Sequence, residues 1–386
     1  MRVDGKHVLQ FGQLSLENWR NFSQAEVNLQ RRVFIVGPNA SGKSNLLDVF
    51  RFLRDIAAPG GGLQEAVRRR GGVSSLRCLA ARRYSDVIVR VEIRSGDVAT
   101  PWKYLLAFNQ DNRQRPVVKH EKVWHGDALL LDRPNDQDGA DAERLTQTHL
   151  EQVSANRDFR EIADFFTSVR YLHIVPQLVR EPDRSVGRKN DPYGGDFLEQ
   201  VARTPEPTQK ARLRRIQDAL SLAVPQLVEL RMERDARGTP HLRGKYEHWR
   251  PQGAWQTEDA FSDGTLRLIG LLWAVQDGTG PLLLEEPELS LHPEVVRHIP
   301  QMLARSQRRS GRQVIVSTHS SDLLRDDGIG LDEVVLLSPG GEGSSVSTAG
   351  GIREARNLLD GGLTMADVVI PRTRPQKAEQ LALFGG

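Results

Sequence analysis

The sequence contains a single cysteine, Cys78, and no long uninterrupted run of apolar residues. One cysteine excludes a framework of intrachain disulfide bonds, and such scarcity is typical of proteins from a reducing compartment. A helix that spans a bilayer needs about 18 or more consecutive apolar residues, so no membrane-embedded segment is expected. Residues 1–19 also lack the apolar block and small-residue cleavage site of a secretory signal. The sequence therefore predicts a cytoplasmic protein that does not enter a membrane.

Net charge is also small. The 53 Lys and Arg residues nearly balance the 50 Asp and Glu residues, which leaves a formal charge of +3 at pH 7. Arginines are nevertheless clustered at 66–70, 180–189 and 210–215. Such clusters can neutralise the phosphates of nucleic acid, or they can lie on solvated helix faces. DNA is therefore one candidate partner, and the composition, 38% apolar and 27% charged, is that of a folded globular protein.

Apolar strand patterns alternate with helical patterns over much of the chain. Residues 32–57 read as a buried strand, a glycine-bearing loop and a helix. Further strand patterns at 281–286, 313–318 and 333–338 are separated by helical ones. This alternation predicts an α/β fold with a mainly parallel sheet covered by helices on both faces. The polar–apolar alternation at 8–16 predicts antiparallel strands near the N-terminus.

The segment GPNASGKS at 37–44 fits the pattern G-x-x-x-x-G-K-[ST] between a strand and a helix. Glycines at these positions let backbone N–H groups wrap a phosphate, and the helix dipole adds positive potential. Lys43 is expected to reach the β- and γ-phosphates, and the Ser44 hydroxyl is expected to bind Mg²⁺. The predicted nucleotide-binding residues of this P-loop are Gly37, Pro38, Asn39, Ala40, Ser41, Gly42, Lys43, Ser44 and Asn45.

Two adjacent glutamates, Glu285 and Glu286, end the apolar pattern at 281–286. Neighbouring carboxylates repel each other, and a bound cation relieves that repulsion. We expect Glu285 to hold Mg²⁺ through water and Glu286 to orient and deprotonate the attacking water. His319 follows the strand pattern 313–318, and ligands of open α/β sheets bind at the carboxyl ends of strands. His319 is therefore a candidate contact for the γ-phosphate or the attacking water.

These motifs occur in the order of a known family. The chain resembles the ABC-class ATPases of the RecF, SMC and OLD-like group, particularly prokaryotic ATPases often grouped with AAA proteins. The resemblance rests on LENWRNF (16–22), GPNASGKSNLLDVFRFL (37–53), FSDGTLRLIGLL (261–272), LLLEEPELSLHP (282–293) and VIVSTHSSDLL (314–324). It implies a P-loop NTPase with an ABC-ATPase head and an inserted α/β or helical lobe, with ATP and Mg²⁺ as its ligands.

In that family two subunits pack head to tail, and the serine–glycine signature of each contacts the γ-phosphate held by the other. The resemblance thus assigns Ser262 and Gly264 to the ATP of a second copy and implies a homodimer. A helix N-terminus suits this role because it offers hydroxyl and N–H donors to an anion. Asp263 stands where a second glycine is commoner, and we expect it to point away from phosphate and cap the helix.

The resemblance also implies roles for residues outside the main motifs. It predicts Arg20 near the nucleotide, His292 at the dimer interface and Gln177 as a candidate for the family's Q-loop glutamine. The family usually carries Asp at the first acidic position, and Glu285 is one methylene longer. The longer side chain is expected to alter the geometry at Mg²⁺ relative to the family.

The motifs also divide the chain. We expect an ATPase lobe with the P-loop at 1–99, an inserted region of strands and helices at 100–225, and a second ATPase lobe at 226–350. A C-terminal helix and a tail are expected at 351–386. The inserted region at 100–225 aligns poorly with the family. We therefore expect the residues that recognise a partner to lie there.

Three functional outputs are possible for a homodimer that closes around ATP. The first is an ATP-hydrolysing switch or sensor of a prokaryotic DNA-directed system, in anti-phage defence or repair, with a separate effector protein. The second is an OLD-like self-contained nuclease, which needs an acidic metal-binding cluster that residues 320–386 lack. The third is the ATP-binding subunit of a transporter, which the N-terminal strands and the SDGT form of the signature disfavour. The first output is the one we expect.

Overall fold

The structure, a computed structural model, describes residues 2–3, 6–80, 85–96, 98–185, 191–247, 254–374, 380 and 383. The chain forms two compact units. The larger unit comprises Met1–Arg170, Thr279–Leu283 and Gln307–Gly386, and the smaller unit comprises Tyr171–Gly278 and Leu284–Ser306. Each unit is therefore assembled from stretches that are distant in sequence.

The strands, in chain order, are β1 (Arg2–Val3), β2 (Lys6–His7), β3 (Leu9–Trp19), β4 (Phe22–Asn28), β5 (Arg32–Val36), β6 (Val87–Ser95), β7 (Val98–Gln110), β8 (Pro116–His125), β9 (Ala128–Arg133), β10 (Arg170–Leu172), β11 (Leu227–Arg234), β12 (Pro240–Tyr246), β13 (Ala254–Thr257), β14 (Leu282–Glu285), β15 (Val314–Thr318), β16 (Val334–Gly340) and β17 (Gly343–Thr348). The α-helices are α1 (Lys43–Ala57), α2 (Leu63–Arg68), α3 (Val73–Leu76), α4 (Asp136–Ala140), α5 (Arg160–Thr167), α6 (Pro176–Val179), α7 (Phe197–Arg203), α8 (Glu206–Ala223), α9 (Asp263–Gln276), α10 (Pro293–Arg297), α11 (Ile299–Ser310), α12 (Ala355–Asp360) and α13 (Met365–Thr373). Short 3-10 turns occupy Ala142–Thr146, Arg157–Phe159, Pro182–Ser185, Glu258–Ala260, Leu323–Arg325, Leu331–Glu333 and Ala349–Gly351.

A six-stranded mixed sheet has the order β10-β14-β15-β5-β16-β17. β5 pairs in parallel with β15 on one side and with β16 on the other, and β17 is antiparallel to β16. Every residue of β5 and β15 is buried, as expected for parallel strands covered on both faces. The α/β prediction with a mainly parallel sheet is confirmed.

A second six-stranded sheet in the larger unit is antiparallel, with the order β4-β3-β6-β7-β8-β9. Along β6 buried residues alternate with partly exposed ones, because one face packs on the core and the other faces solvent. The buried side chain of Gln313 joins β3 to β15: its amide donates to the Phe11 carbonyl at 2.8 Å and its Oε1 accepts from the Phe11 N–H at 2.9 Å. The predicted N-terminal antiparallel strands are confirmed.

A buried ion cluster lies beside β8 and β9. The Arg133 guanidinium contacts Asp138 at 2.8 Å and Glu121 at 3.0 Å, and the Arg133 and Glu121 side chains are 0% exposed. Glu121 also accepts the backbone N–H groups of His149 and Leu150, at 2.7 and 3.0 Å. Burial raises the pKa of Glu121, whereas hydrogen bonds from Arg133 hold the pKa of Asp138 well below its usual range. Arg133 thus compensates two buried carboxyl groups, and Arg144 adds a contact to Asp138 at 3.3 Å.

The smaller unit has its own core, to which α7, α8, α9 and the sheet β11-β12-β13 contribute. Leu220, Leu242 and Ile269 are fully buried members of this core. On the sheet, the Arg231 guanidinium lies over the Trp255 ring, 3.8 Å from the ring centroid. This cation–π contact joins β11 to β13 across β12.

The predicted domain boundaries remain predictions. Residues 100–225 include β7 to β10 and α4 to α8, and residues 351–386 include α12 and α13. Most of the predicted tail after residue 374 lies outside the described residues. Within the ranges that the structure describes, no helix is long and apolar enough to cross a membrane.

Candidate functional site

The P-loop connects the buried strand β5 to α1 in the larger unit. A Cβ atom on Gly37 would lie 2.5 Å from Ser41 Oγ and 2.8 Å from the Leu337 carbonyl oxygen, so no side chain fits there. Gly42 has φ +99°, and a Cβ on it would lie 2.2 Å from Asn21 Nδ2. Both glycines are therefore required for the backbone conformation of this loop.

Helix α1 begins with a backbone suited to an anion. Its N-cap is Gly42, and none of the described side chains caps it. The first N–H groups of such a helix have no intrahelical partner, and the helix dipole is positive at this end. Lys43 Nζ donates to the carbonyl oxygens of Gly37 and Pro38, at 3.0 and 3.2 Å, and so lies across the loop. The uncapped helix end and the lysine fit a polyphosphate.

Asn21 holds the P-loop from the turn between β3 and β4. Its amide nitrogen donates to the Ser41 carbonyl at 3.0 Å and lies 2.7 Å from Ser344 Oγ, and its Oδ1 accepts from Asn45 at 2.8 Å. The Asn21 backbone carbonyl also accepts the Ser344 N–H at 2.7 Å. One side chain thus joins the P-loop, α1 and β17.

Replacing Asn21 with Ala is expected to raise the Kd for ATP about tenfold, because it leaves the Ser41 carbonyl and the Asn45 amide without their partner. Fluorescence titration with a labelled ATP analogue measures this. Asn109→Ala is a matched control, since Asn109 donates to Ser85 and Asp86 on the antiparallel sheet. Equal affinities for the two variants would contradict a role for Asn21 in shaping the loop.

Arg20, predicted near the nucleotide, lies in the same unit as the P-loop. Its Nη2 donates to Asp48 on α1 at 3.2 Å, and its backbone φ is +52°, which is unusual for a residue other than glycine. Arg70 binds both oxygens of Asp48 at 2.9 Å, and Arg51 lies 3.6 Å away. Burial raises the pKa of Asp48, but these arginines outweigh it and leave the pKa below its usual value. Asp48 therefore anchors Arg20 on the helix that begins at the P-loop.

His319 directly follows β15 in the larger unit and is exposed. The preceding residues, Ser317 and Thr318, are buried, and the Thr318 hydroxyl accepts the Ser320 N–H at 3.0 Å. The end of the strand is thus fixed while the imidazole stays accessible. Its contact with a nucleotide remains a prediction.

Glu285 is the last residue of β14 and belongs to the smaller unit. The Tyr171 hydroxyl donates to Glu285 Oε2, and His173 Nδ1 lies 3.3 Å from the Glu285 carbonyl oxygen. Both partners come from β10 or the residue directly after it. The metal role predicted for Glu285 is untested, but its carboxylate is held from an adjacent strand.

Glu286 has φ +43°, a left-handed conformation that costs energy for a residue with a Cβ. Such backbone strain is concentrated at functional sites. The Glu286 carbonyl accepts the Leu289 N–H at 3.2 Å, which begins the turn that leads to α10. Burial lowers the pKa of Arg267 on α9, whereas the charges of Asp263 and Glu286 raise it. Glu286 therefore lies within electrostatic reach of the signature helix.

The signature forms the N-terminus of α9 in the smaller unit. Ser262 is the N-cap, and its Oγ accepts the Thr265 N–H at 3.1 Å. A Cβ on Gly264 would lie 2.5 Å from the Ser290 carbonyl oxygen, so only glycine allows this close approach. The expectation that Asp263 caps the helix is wrong, because Ser262 makes the cap and the Asp263 carboxylate instead pairs with Arg180 at 2.6 Å.

Two further predicted residues lie in the smaller unit. His292 is the N-cap of α10, where its Nδ1 accepts the Glu294 N–H at 3.1 Å. Gln177 is exposed on α6. Their roles at a dimer interface and in a Q-loop remain predictions.

The predicted site residues thus form two groups. The larger unit carries Arg20, the P-loop residues 37–45 and His319, and the smaller unit carries Ser262, Gly264, Glu285 and Glu286. Sequence reasoning assigned no role to four residues that hold these groups in place: Asn21, Asp48, Tyr171 and Arg180. Asn21 and Asp48 lie within the motif segments 16–22 and 37–53, but no spacing marks their roles, because each of the four acts through a contact with a distant part of the chain.

Comparison with known proteins identifies the family to which the chain belongs. The family model described as "AAA domain, putative AbiEii toxin, Type IV TA system" matches residues 32–326. No curated protein matches the chain in sequence.

Solved structures of SMC heads are similar to the chain. One is an SMC head bound to the C-winged helix domain of ScpA, at 14% identity and a TM-score of 0.55, covering 90% of this chain and 99% of that chain. Another, derived from Pyrococcus furiosus, is an SMC head domain with an extended coiled coil bound to the C-terminal domain of ScpA. Its identity is 13% and its TM-score 0.53, and the match covers 92% of this chain and 99% of that chain. At these identities the likeness shows a shared fold.

The family match covers most of the chain and includes the P-loop, both glutamates and the signature. The fold similarity covers nearly the whole length of the SMC heads. The chain therefore belongs to the AAA-domain family of AbiEii type, and it is a P-loop ATPase domain with the fold of an SMC head.

Proposed function

We propose that the protein is an ATP-hydrolysing switch that closes as a homodimer around ATP. The observation that carries this proposal is the P-loop geometry, in which a helix N-terminus without a side-chain cap, two required glycines and Lys43 occur in one loop. Electrostatic attraction to the dipole and the lysine would hold the β- and γ-phosphates there.

Hydrolysis is assigned to the residues that follow β14 and β15. Glu286 orients the attacking water and accepts its proton, and His319 contacts the γ-phosphate. The Ser44 hydroxyl provides an oxygen ligand of the kind that Mg²⁺ prefers and Glu285 holds the ion through water, and the ion, when bound, would neutralise charge on the β- and γ-phosphates. The longer Glu285 side chain takes the place of the family's usual aspartate.

Ser262 and Gly264 are assigned to the ATP held by the second copy. In support, a hydroxyl has one donor and two acceptor sites, and Ser262 Oγ uses one for the Thr265 N–H and one for the Thr265 hydroxyl, 2.8 Å away, which leaves a third for phosphate. Gly264 adds a backbone N–H close to the Ser290 turn. Contacts made only to ATP favour the closed dimer, so loss of the γ-phosphate releases it.

The output we propose is regulation of a separate effector protein in a prokaryotic DNA-directed system, in anti-phage defence or repair. The family description names a toxin of a Type IV toxin–antitoxin system, which supports the defence role. The SMC heads of similar fold were crystallised with a bound domain of ScpA, which supports an effector docked on the head. DNA is the proposed target.

Light scattering of a Glu286→Gln variant tests the switch. We expect the mass of one chain without nucleotide and of two chains with ATP and Mg²⁺, because hydrolysis no longer opens the dimer. Adding Ser262→Arg in the same background should keep the mass at one chain, since the larger side chain occupies the γ-phosphate contact. A mass that does not respond to ATP in the first variant would overturn the proposal.

A further inference from the structure

Glu285 is held by the strand next to it in the sheet. β10 is the neighbour of β14 in the sheet order, and Tyr171 lies in the middle of β10. The Tyr171 hydroxyl donates to Glu285 Oε2, while His173 contacts the Glu285 backbone carbonyl at 3.3 Å. Both ends of the glutamate, its carboxylate and its main chain, are thus fixed from the same side.

The Tyr171 hydroxyl occupies one hydrogen-bonding site of the Glu285 carboxylate and so restricts its orientation. A tyrosine hydroxyl is protonated near neutral pH, so it donates one hydrogen bond to Oε2. A carboxylate has two oxygens with about four lone-pair sites in all, so one hydrogen bond from a hydroxyl is compatible with holding a cation. Outer partners of this kind orient metal-binding carboxylates and are important for affinity.

The Tyr171–Glu285 contact restricts a side chain that is longer than the aspartate usual in the family. Glutamate has one more rotatable bond than aspartate, so its carboxylate samples a larger volume unless a partner fixes it. A hydroxyl bound to one oxygen removes that freedom and leaves the other oxygen in a defined place. A shorter side chain on the same backbone would place its carboxylate about one C–C bond farther back along β14, away from the hydroxyl.

We propose that Tyr171 is a positioning residue for the metal site, and that it compensates for the extra methylene of Glu285. This inference rests on the proposed function, in which Glu285 holds Mg²⁺ beside ATP. Tyr171 does not contact the metal or the nucleotide in this proposal. It sets the direction of the Glu285 carboxylate, which holds the ion through water.

Mn²⁺ binding tests the proposal without relying on turnover. The probe is Mn²⁺, whose free concentration is followed by electron paramagnetic resonance, with the full chain and a non-hydrolysable ATP analogue. Tyr171→Phe is expected to weaken Mn²⁺ binding about 10–100-fold. Affinity for the labelled analogue in the presence of a chelator should not change, because the P-loop contacts are intact.

Tyr193→Phe is the matched control. Tyr193 lies in the same unit, its ring meets the edge of His173 at a centroid distance of 6.1 Å, and the residue is 52% exposed. Removing its hydroxyl should leave Mn²⁺ binding at the wild-type level. A loss equal to that of Tyr171→Phe would overturn the proposal, because the effect would then come from the neighbourhood and not from the hydrogen bond.

A double-mutant cycle separates positioning from general damage to the fold. In the Glu285→Asp background the hydroxyl has no carboxylate in reach, so adding Tyr171→Phe should cause little further loss of Mn²⁺ binding. Equal losses in both backgrounds would overturn the proposal. This comparison stays valid if Tyr171→Phe lowers thermal stability, because a stability effect would appear in both backgrounds.

Glu285→Gln distinguishes failure of this inference from failure of the proposed function. If Glu285→Gln weakens Mn²⁺ binding and Tyr171→Phe does not, Glu285 keeps its metal role and the positioning role of Tyr171 is overturned. If Glu285→Gln leaves Mn²⁺ binding unchanged, the assignment of Glu285 as a metal ligand is overturned, and the role of Tyr171 with it.

Discussion

Replacing Glu286 with Gln is expected to lower kcat for ATP hydrolysis about 10²–10⁴-fold, the range typical of a lost general base. Glutamine has nearly the same shape and keeps a hydrogen-bond acceptor, but it cannot take the proton of the attacking water. The P-loop contacts are untouched, so the Kd for ATP should stay within about twofold of wild type. Phosphate release under saturating ATP and a fluorescence titration measure the two quantities separately.

Glu294→Gln is the control for this prediction. Glu294 lies on α10, its side chain is 62% exposed, and its carboxylate pairs with Arg297 at 3.2 Å. Its replacement removes one negative charge from the same region of the sequence and should leave kcat unchanged. Turnover of Glu286→Gln close to that of wild type would show that another group accepts the proton, and His319 would then be the first residue to replace.

Replacing Arg133 with Met is expected to lower the free energy of unfolding by about 3–5 kcal/mol. The loss is large because the buried Glu121 would lose the guanidinium that contacts it, and Asp138 would keep only the longer contact to the partly exposed Arg144, at 3.3 Å. Arg133 also donates to the carbonyl oxygens of Arg144 and Gln147, each at 2.9 Å, and these acceptors would lose their partner. Urea unfolding followed by circular dichroism measures the change.

Arg90→Met provides the comparison on the same sheet. Arg90 pairs with Glu17 at 2.5 Å, but the two side chains are 43% and 36% exposed. Ion pairs in this setting contribute about 0–1 kcal/mol, because water screens the charges and holding the side chains costs entropy. A similar loss for both variants would contradict the view that burial, and not the ion pair itself, makes Arg133 important.

Arg180 makes two contacts to the signature region, which is far from it in sequence. Arg180 donates to the Asp263 carboxylate and also to the Phe261 carbonyl, at 2.6 and 2.7 Å. It therefore fixes the chain on both sides of Ser262, the residue assigned to the second copy's ATP. The acid at position 263 is thus paired with a cation of its own unit, which makes it compatible with the phosphate contact proposed for the signature.

The motifs that sequence reasoning recovered have a common property. The P-loop, the glutamate pair and the signature are each contiguous, and their chemistry depends on local backbone geometry: a strand that ends, a glycine that turns, a helix that begins. Gly42 and Gly37 illustrate this, since the spacing alone predicted two positions where a side chain does not fit. The α/β class followed from the same local information, because buried parallel strands read as continuous apolar runs.

The supporting residues were decided by the tertiary structure. Tyr171 and Glu285 are 114 residues apart, Arg180 and Asp263 are 83 apart, and Asn21 reaches Ser344 across 323 residues. No periodicity or spacing encodes such pairs, because they arise only when the strand order and the close approach of loops bring the side chains together. The sequence by itself determined the α/β class and the family, and it predicted which segments carry the phosphate, acid and signature chemistry. Only the packing of distant segments decided which residues hold that chemistry in position, since a side-chain hydrogen bond requires its two atoms to meet within about 3 Å.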